Sequence, residues 1–201
     1  AYDNADGLPR VLYTLNRYLV TGTFFLNGEF IRRYPNETRQ ISLSRNECAS
    51  MFFSASVLTQ PGFLLDEDYV RRGLARNEDE FNAVTGKELS LMWHAPYYAA
   101  SEKIIQDGKK AGYDYIDIKT PVFDSVTLEQ AVNGSGKYLC PGELIESYVE
   151  NLKEGEKAVP VTIGISRGTR ESYLYDNLDL LISAILDAGY EIVPLRYILE
   201  E

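Results

Sequence analysis

The strongest constraint on this chain is a hydrophobic period that switches repeatedly between the spacing of a helix and that of a strand. Pro9 opens a helical stretch with Val11, Leu12, Leu15, Tyr18 and Leu19 three and four residues apart, and Gly22 hands over to a strand at 23–26. A helix is expected over 28–34, an extended piece over 40–43, a turn at 44–46 and a Phe-rich strand over 51–57. Two amphipathic helices over 66–75 and 77–84 follow, then a strand over 89–93. Ser101 caps the next helix, Gly112 ends it, and a strand is expected over 115–118. Helical segments at 127–132 and 141–152 precede a buried strand at 159–165, a long helix at 173–188 and a last strand at 192–195. Strands alternating with helices predict an α/β fold, with mostly parallel strands and helices outside.

At 201 residues, with neither an internal repeat nor a low-complexity linker, the expectation is a single domain over 1–201. The chain opens directly on a functional-looking turn, which suggests upstream sequence and further domains of the same protein. Lys and Arg total 20 against 30 Asp and Glu, a net charge of −10 that disfavours nucleic acid as a partner. No apolar run of about 18 residues is present, so no membrane-spanning helix is expected. The 15 Tyr suit sugar rings or protein partners, and equally suit strands. Cys48 and Cys140 stand in no CxxC arrangement and read as a disulfide or as two buried thiols.

The order of short motifs narrows this further. An acidic turn at Tyr2-Asp3-Asn4 is followed by "GTFFLNG", "RRYP", "NECASMFFSA", "WHAPYY", "GYDYIDIKT", "VPVTIGIS" and "LLISAILDAGYEIVPL". Across nearly the whole chain this resembles the NodB-homology domain of polysaccharide deacetylases, carbohydrate esterase family 4. The resemblance implies a distorted (β/α) barrel with its chemistry at the C-terminal ends of the strands. It also implies removal of acetyl groups from N-acetylated sugars by a divalent metal, usually zinc, held by one Asp and two His.

Several of the chemical positions depart from that pattern. The family's Asp-Asp pair reads Asp3-Asn4, which keeps the base and replaces a charged ligand by an amide. The two His, four residues apart and so on one face of a helical turn, correspond through Glu47 to Met51 and Ala55. A thioether is a soft, weak zinc ligand, and Ala is none. The Arg of the third motif is replaced by His94, the only histidine in the chain, and Gly164, Ile165 and Ser166 occupy the place of the acid His. The expectation is therefore no family zinc; an all-oxygen set from Asp3, Asn4, Asp6 and Glu47 would suit a harder divalent cation.

Each remaining candidate has two readings. Asp3 is a remnant base or a loop Asp capping the helix after Pro9. His94 is a sugar or Asp3 partner, or a ring satisfied by backbone. Trp93, Tyr97 and Tyr98 fall where the resemblance puts the groove wall, with core packing taking at least one of them. Asp124 faces the same mouth or forms a turn. Arg167 and Arg170 bind a carboxylate of an acidic sugar or form a solvated pair. The charged run "DEDYVRRGLARNEDE" is an exposed helix-turn-helix face or an insertion over the groove. Three functions follow: a degenerate barrel binding a polysaccharide or oligosaccharide or serving as scaffold, an active amide hydrolase of acetylated sugars using Asp3, or a purely structural domain. The resemblance places the protein outside the cytoplasm or in a cell envelope.

Overall fold

The computed structural model describes residues 4–61, 66–120 and 122–199. Along the chain run α1 (Leu8–Tyr18), β1 (Thr23–Leu26), α2 (Gly28–Arg33), α3 (Pro35–Leu43), β2 (Glu47–Ser50), α4 (Glu67–Thr85) and β3 (Met92–Trp93). A 3-10 turn (Pro96–Tyr98), α5 (Glu102–Lys110), β4 (Asp114–Tyr115), α6 (Leu128–Val132) and α7 (Pro141–Lys153) follow. A second 3-10 turn (Leu174–Asn177), α8 (Leu178–Asp187) and α9 (Arg196–Leu199) complete the order. Backbone contacts gather these elements into two compact units, one over Thr23–Asp117 and one combining the α1 segment up to Gly22 with Ile118 onward.

The first unit carries the sheet, with strands in the order β1-β2-β3-β4, each pair parallel. Helices connect successive strands, as parallel pairing requires. β1 alternates half-buried and buried residues, sending Phe24 and Leu26 inward. The two helices expected at 66–75 and 77–84 are one helix, α4, because Val70, Leu74, Asn77 and Phe81 continue a single buried stripe through the polar stretch. Its charged outer face holds ion pairs from Arg71 to Asp68 at 3.0 Å and Arg72 to Asp66 at 3.2 Å. Gly73 lets the helix approach the sheet, since a Cβ there would lie 2.2 Å from the Phe52 ring. Asn77, fully buried, donates Nδ2–H to Leu26 O at 2.9 Å and to Ser50 Oγ at 2.8 Å. That one amide ties the C-terminal ends of β1 and β2 together.

Two expectations in this unit fail for identifiable reasons. Residues 40–43 are helical, because Pro35 at the first helical position starts α3 earlier than the extended reading allowed. The strand expected at 51–57 is instead β2 at Glu47–Ser50, and Phe52 turns the chain away with φ +65.

In the second unit α1, α7 and α8 bury one stripe each: Leu8, Val11 and Leu15, then Leu144, Ile145 and Tyr148, then Leu178, Leu181, Ile182 and Ile185. The strands expected at 159–165 and 192–195 are not formed among the described residues. The alternation does bury Ile163 and Ile165, but the Thr162 amide donates to the Asp124 carboxylate at 2.7 Å and not to a neighbouring strand. Gly7 N–H donates to Ile163 O at 3.0 Å, and a Cβ on Gly7 would lie 2.6 Å from the Tyr175 ring. Both cysteines are free thiols: Cys48 lies half-buried in β2, where burial pushes its thiol up to about 12, and Cys140 is exposed ahead of α7.

Candidate functional site

The C-terminal end of β3 is the segment "WHAPYY", and its residues separate sharply. Trp93 is 0% exposed and packs against Phe52, Tyr115 and the Gly108 face of α5. Of its two readings, groove wall or core, Trp93 takes the core: a fully buried indole has no face left for a sugar. His94 is 3% exposed, and its amide donates to Ser50 O at 3.1 Å, continuing the β2 to β3 ladder. Its ring lies between Phe25 and Tyr98, each with ring centroids at 4.6 Å, the Tyr98 ring nearly parallel at 17°. Nδ1 is 2.8 Å from Ala95 O. Burial pushes the imidazole down to about 4, against an opposing contribution from the Ala95 hydrogen bond.

Pro96 then turns the chain, with Tyr97 at φ +57 and Tyr98 at φ +55, two successive side-chain-bearing residues in the left-handed region. That conformation costs about 1–2 kcal/mol per residue, so surrounding contacts must hold it. The turn lays Tyr98 on His94 and leaves Tyr97 56% exposed. The Tyr pair keeps its candidate role; the two left-handed backbones are the part sequence reading missed, and nothing in "PYY" announces them.

In the second unit the candidates are occupied. Asn4 donates Nδ2–H to Ser166 Oγ at 2.8 Å and accepts the Asp6 amide on Oδ1 at 2.9 Å. Asp6 Oδ2 accepts the Arg167 amide at 3.1 Å. The Arg167 guanidinium forms a two-pronged pair with Asp176 at 2.5 and 3.0 Å and lies about 5 Å from the Tyr173 and Tyr175 ring centres. The bond to Asp176 raises its pKa further. Arg167 is thus a cation paired within its own unit and half-exposed.

Asp124 is not at an open mouth either. It is buried, with Oδ2 accepting Thr162 N–H at 2.7 Å and Oδ1 accepting Thr162 Oγ1–H at 2.6 Å. Burial raises its pKa, while the Thr162 bonds and the charge of Arg170 act to lower it. Arg170, read from the sequence as one of a solvated pair, is 4% exposed and donates to Val126 O, to Leu139 O at 2.5 Å and to Ser172 O at 3.1 Å, with its guanidinium 4.3 Å from the Tyr138 ring centre. A buried Arg with three carbonyl acceptors is structural.

Asp3 lies outside the described residues. Met51 is 6% exposed just past β2, and its amide donates to Leu26 O at 2.8 Å. Ala55 stands in an irregular stretch, so Met51 and Ala55 do not share a helical turn. Glu47 sits at the N-terminal end of β2, the end away from Ser50, and accepts a bond from Thr23 Oγ1 at 3.4 Å. Against zinc, the fit is poor: Asn4 has both amide atoms engaged, Met51 offers a buried thioether and Ala55 no donor. Among the described residues no three His, Cys, Asp or Glu side chains gather as a metal group.

Parallel strands joined by helices, with polar and aromatic residues at their C-terminal ends, define an α/β architecture. The polysaccharide deacetylase family profile matches residues 2–116, more than half of the chain, and the chain belongs to that family. A curated relative, the peptidoglycan-N-acetylmuramic acid deacetylase PdaA of Bacillus subtilis, is 28% identical over 108 residues, 54% of this chain and 40% of that protein. The matched region thus spans well under half of the relative. The solved structure of B. subtilis PdaA, a family 4 carbohydrate esterase, superimposes with a TM-score of 0.77 at 21% identity, covering 98% of this chain and 76% of that one. A family 4 pseudoenzyme from Bacillus anthracis matches with a TM-score of 0.67 at 16% identity, covering 93% and 58%. The fold is that of the NodB-type distorted (β/α) barrel.

Proposed function

We propose that this polysaccharide deacetylase domain holds a glycan at the C-terminal edge of its sheet without the family's zinc-assisted chemistry. The observation that carries the reading is the end of β3, where exposed Tyr97 stands on a strained backbone beside the buried His94–Tyr98 stack. Strain of this kind collects where a side chain must be presented and not merely packed. An exposed aromatic face with a few polar groups nearby suits a sugar ring. Zinc activation of water needs ligands that Asn4, Met51 and Ala55 do not supply. The relative's name supports an N-acetylated glycan of the cell wall, hence an envelope setting, and the pseudoenzyme neighbour supports a fold kept without its activity.

The test combines elemental analysis, an acetate-release assay on acetylated chito-oligosaccharides and calorimetric binding of the same oligosaccharides. The expected outcome is no stoichiometric metal, no acetate, and binding weakened about tenfold by Tyr97→Ala, the size of a lost aromatic stack. Stoichiometric metal with acetate release abolished by Asp3→Ala would replace this reading by a hydrolase with Asp3 as base. Absence of any glycan binding would leave a structural domain.

A further inference from the structure

An asparagine or aspartate followed by glycine is open to attack on its side-chain carbonyl by the next backbone nitrogen, because glycine has no side chain to hinder the approach. The chain has four such pairs, Asp6-Gly7, Asn27-Gly28, Asp107-Gly108 and Asn133-Gly134. Packing locks three of them. Asp6 accepts the Arg167 amide at 3.1 Å, while Gly7 N–H is held by Ile163 O at 3.0 Å. Asn27 is fully buried and caps α2 by accepting the Phe30 amide at 2.8 Å, and Gly28 N–H donates to Phe52 O at 3.3 Å. Asp107 is buried inside α5, and a Cβ on Gly108 would lie 2.6 Å from the Trp93 indole. Asn133 and Gly134 are instead both exposed at the end of α6, where Gly134 has φ +71 and a Cβ would meet nothing within 4 Å.

We propose that Asn133 is a site of spontaneous covalent modification, converting to aspartate and isoaspartate through a cyclic imide with Gly134. The Gly134 N–H gives up its proton to solvent base and its nitrogen bonds to Asn133 Cγ; the Cγ–Nδ2 bond breaks and Nδ2 leaves as ammonia. Water then opens the ring at either carbonyl, so one water is consumed, one ammonia is released and no oxidant is needed. At Asn133 ψ is 4°, which eclipses the Gly134 nitrogen with the residue's own nitrogen and holds it away from Cβ, so ring closure requires the turn to open. The bonds from Gly134 N to Ala131 O at 3.1 Å and from Ser135 N to Gln130 O at 2.8 Å oppose that opening, but α6 buries none of its residues. Local opening of such a surface segment costs little, whereas opening at Asn27 would take apart the core around β1. Each event adds a carboxylate, and isoaspartate also adds a backbone carbon, in the turn that leads to Tyr138 and Leu139, where Arg170 is held.

Tryptic digestion places Asn27 and Asn133 on separate peptides, so the two Asn-Gly pairs can be followed in one sample. The protein is held in mildly alkaline buffer, native and in parallel unfolded in urea, and peptide masses are recorded over time. In the native sample a gain of about 1 Da should appear on the Asn133 peptide, with isoaspartate detectable there by enzymatic methylation. The Asn27 peptide should gain it about tenfold or more slowly, because its pair opens only with the core. In urea the two peptides should convert at comparable rates, which assigns the native difference to the fold. Gly134→Ala should slow conversion of Asn133 about tenfold in the unfolded sample, where the added methyl obstructs the attacking nitrogen without any contribution from the turn. Conversion of Asn27 as fast as Asn133 in the native protein overturns the proposal, as does an Asn133 peptide that stays unchanged while the urea sample converts. An undiminished rate in unfolded Gly134→Ala overturns the route through the Gly134 nitrogen. The native comparison needs no variant and does not depend on any glycan.

Discussion

The two compact units treat their polar residues in opposite ways. In the second, Asn4, Asp6, Asp124, Arg167 and Arg170 are tied to one another, to backbone carbonyls or to neighbouring side chains. In the first, the end of β3 holds a buried His94 ring stacked on Tyr98, and beside it a Tyr presented outward on strained backbone. A polar group whose every bond is made inside the fold adds stability and has little left to offer a ligand. An aromatic ring held outward on strained backbone still has a face to offer.

The contrast breaks most readily at Arg170. Arg170→Met removes the donor to Val126 O, Leu139 O and Ser172 O and leaves Asp124 in the core without its nearby cation. Removing one member of a buried charged network costs about 3–5 kcal/mol, roughly 10 °C in melting temperature for a chain of this size. Differential scanning calorimetry checks it. A melting temperature within a degree or two of native would mean that the second unit's pairings are ornamental and the comparison is unsound.

His94 provides the next largest effect, through pH. Its folded pKa is lowered to about 4 from an ordinary 6.5, so the unfolded chain takes up a proton before the folded one does. The sign is fixed by that order. There is no penalty above about 6.5, and stability is lost progressively as pH falls from there toward 4, by about 3 kcal/mol in all. Carboxylates add their own slope, so the measurement is the difference between native protein and His94→Phe in urea unfolding at several pH values. That difference should shift toward the variant across this window; a constant difference would mean that the imidazole takes up its proton alike in the folded and unfolded chain.

How much of this could be read from the sequence depends on whether the deciding interaction is local. β1 at Thr23–Leu26, the Ser101 cap of α5 and the stripe of α8 follow from neighbours within a few residues, and each stands where the period and cap placed it. The alternation of strand and helix periods along the chain carried the parallel α/β architecture, which no single segment reveals, and the order of motifs carried the barrel. What failed was decided at a distance. The apolar alternation at 159–165 looks like a strand, but the carboxylate of Asp124, 38 residues earlier, takes the Thr162 amide. Trp93 looks like a sugar platform until α5 brings Gly108 against its indole. Arg170 looks solvated because its acceptors, Val126 O and Leu139 O, lie 44 and 31 residues away. At the site, Asn4, Met51 and Ala55 can be read off the sequence as departures from the motif pattern, whereas the burial of His94 and the left-handed Tyr pair belong to geometry alone.

The smallest predicted effect separates strain that serves a site from strain that does not. Leu19, in the second unit, ends α1 at φ +57 and is 78% exposed, a position where Gly is the ordinary helix terminator. Tyr97, in the first, has the same φ of +57 and is 56% exposed. Replacing either by Gly removes the steric clash of a left-handed side-chain-bearing residue, so each variant should gain about 1 kcal/mol, seen as a higher urea midpoint with an unchanged slope. Their effects on binding should diverge. Leu19→Gly should bind chito-oligosaccharide as the native protein does, and Tyr97→Gly should bind it about tenfold more weakly, because the strain at Tyr97 is retained for the ring it presents. Equal binding by both variants would reduce the end of β3 to another strained turn like the end of α1, and with it would go the difference between the two units.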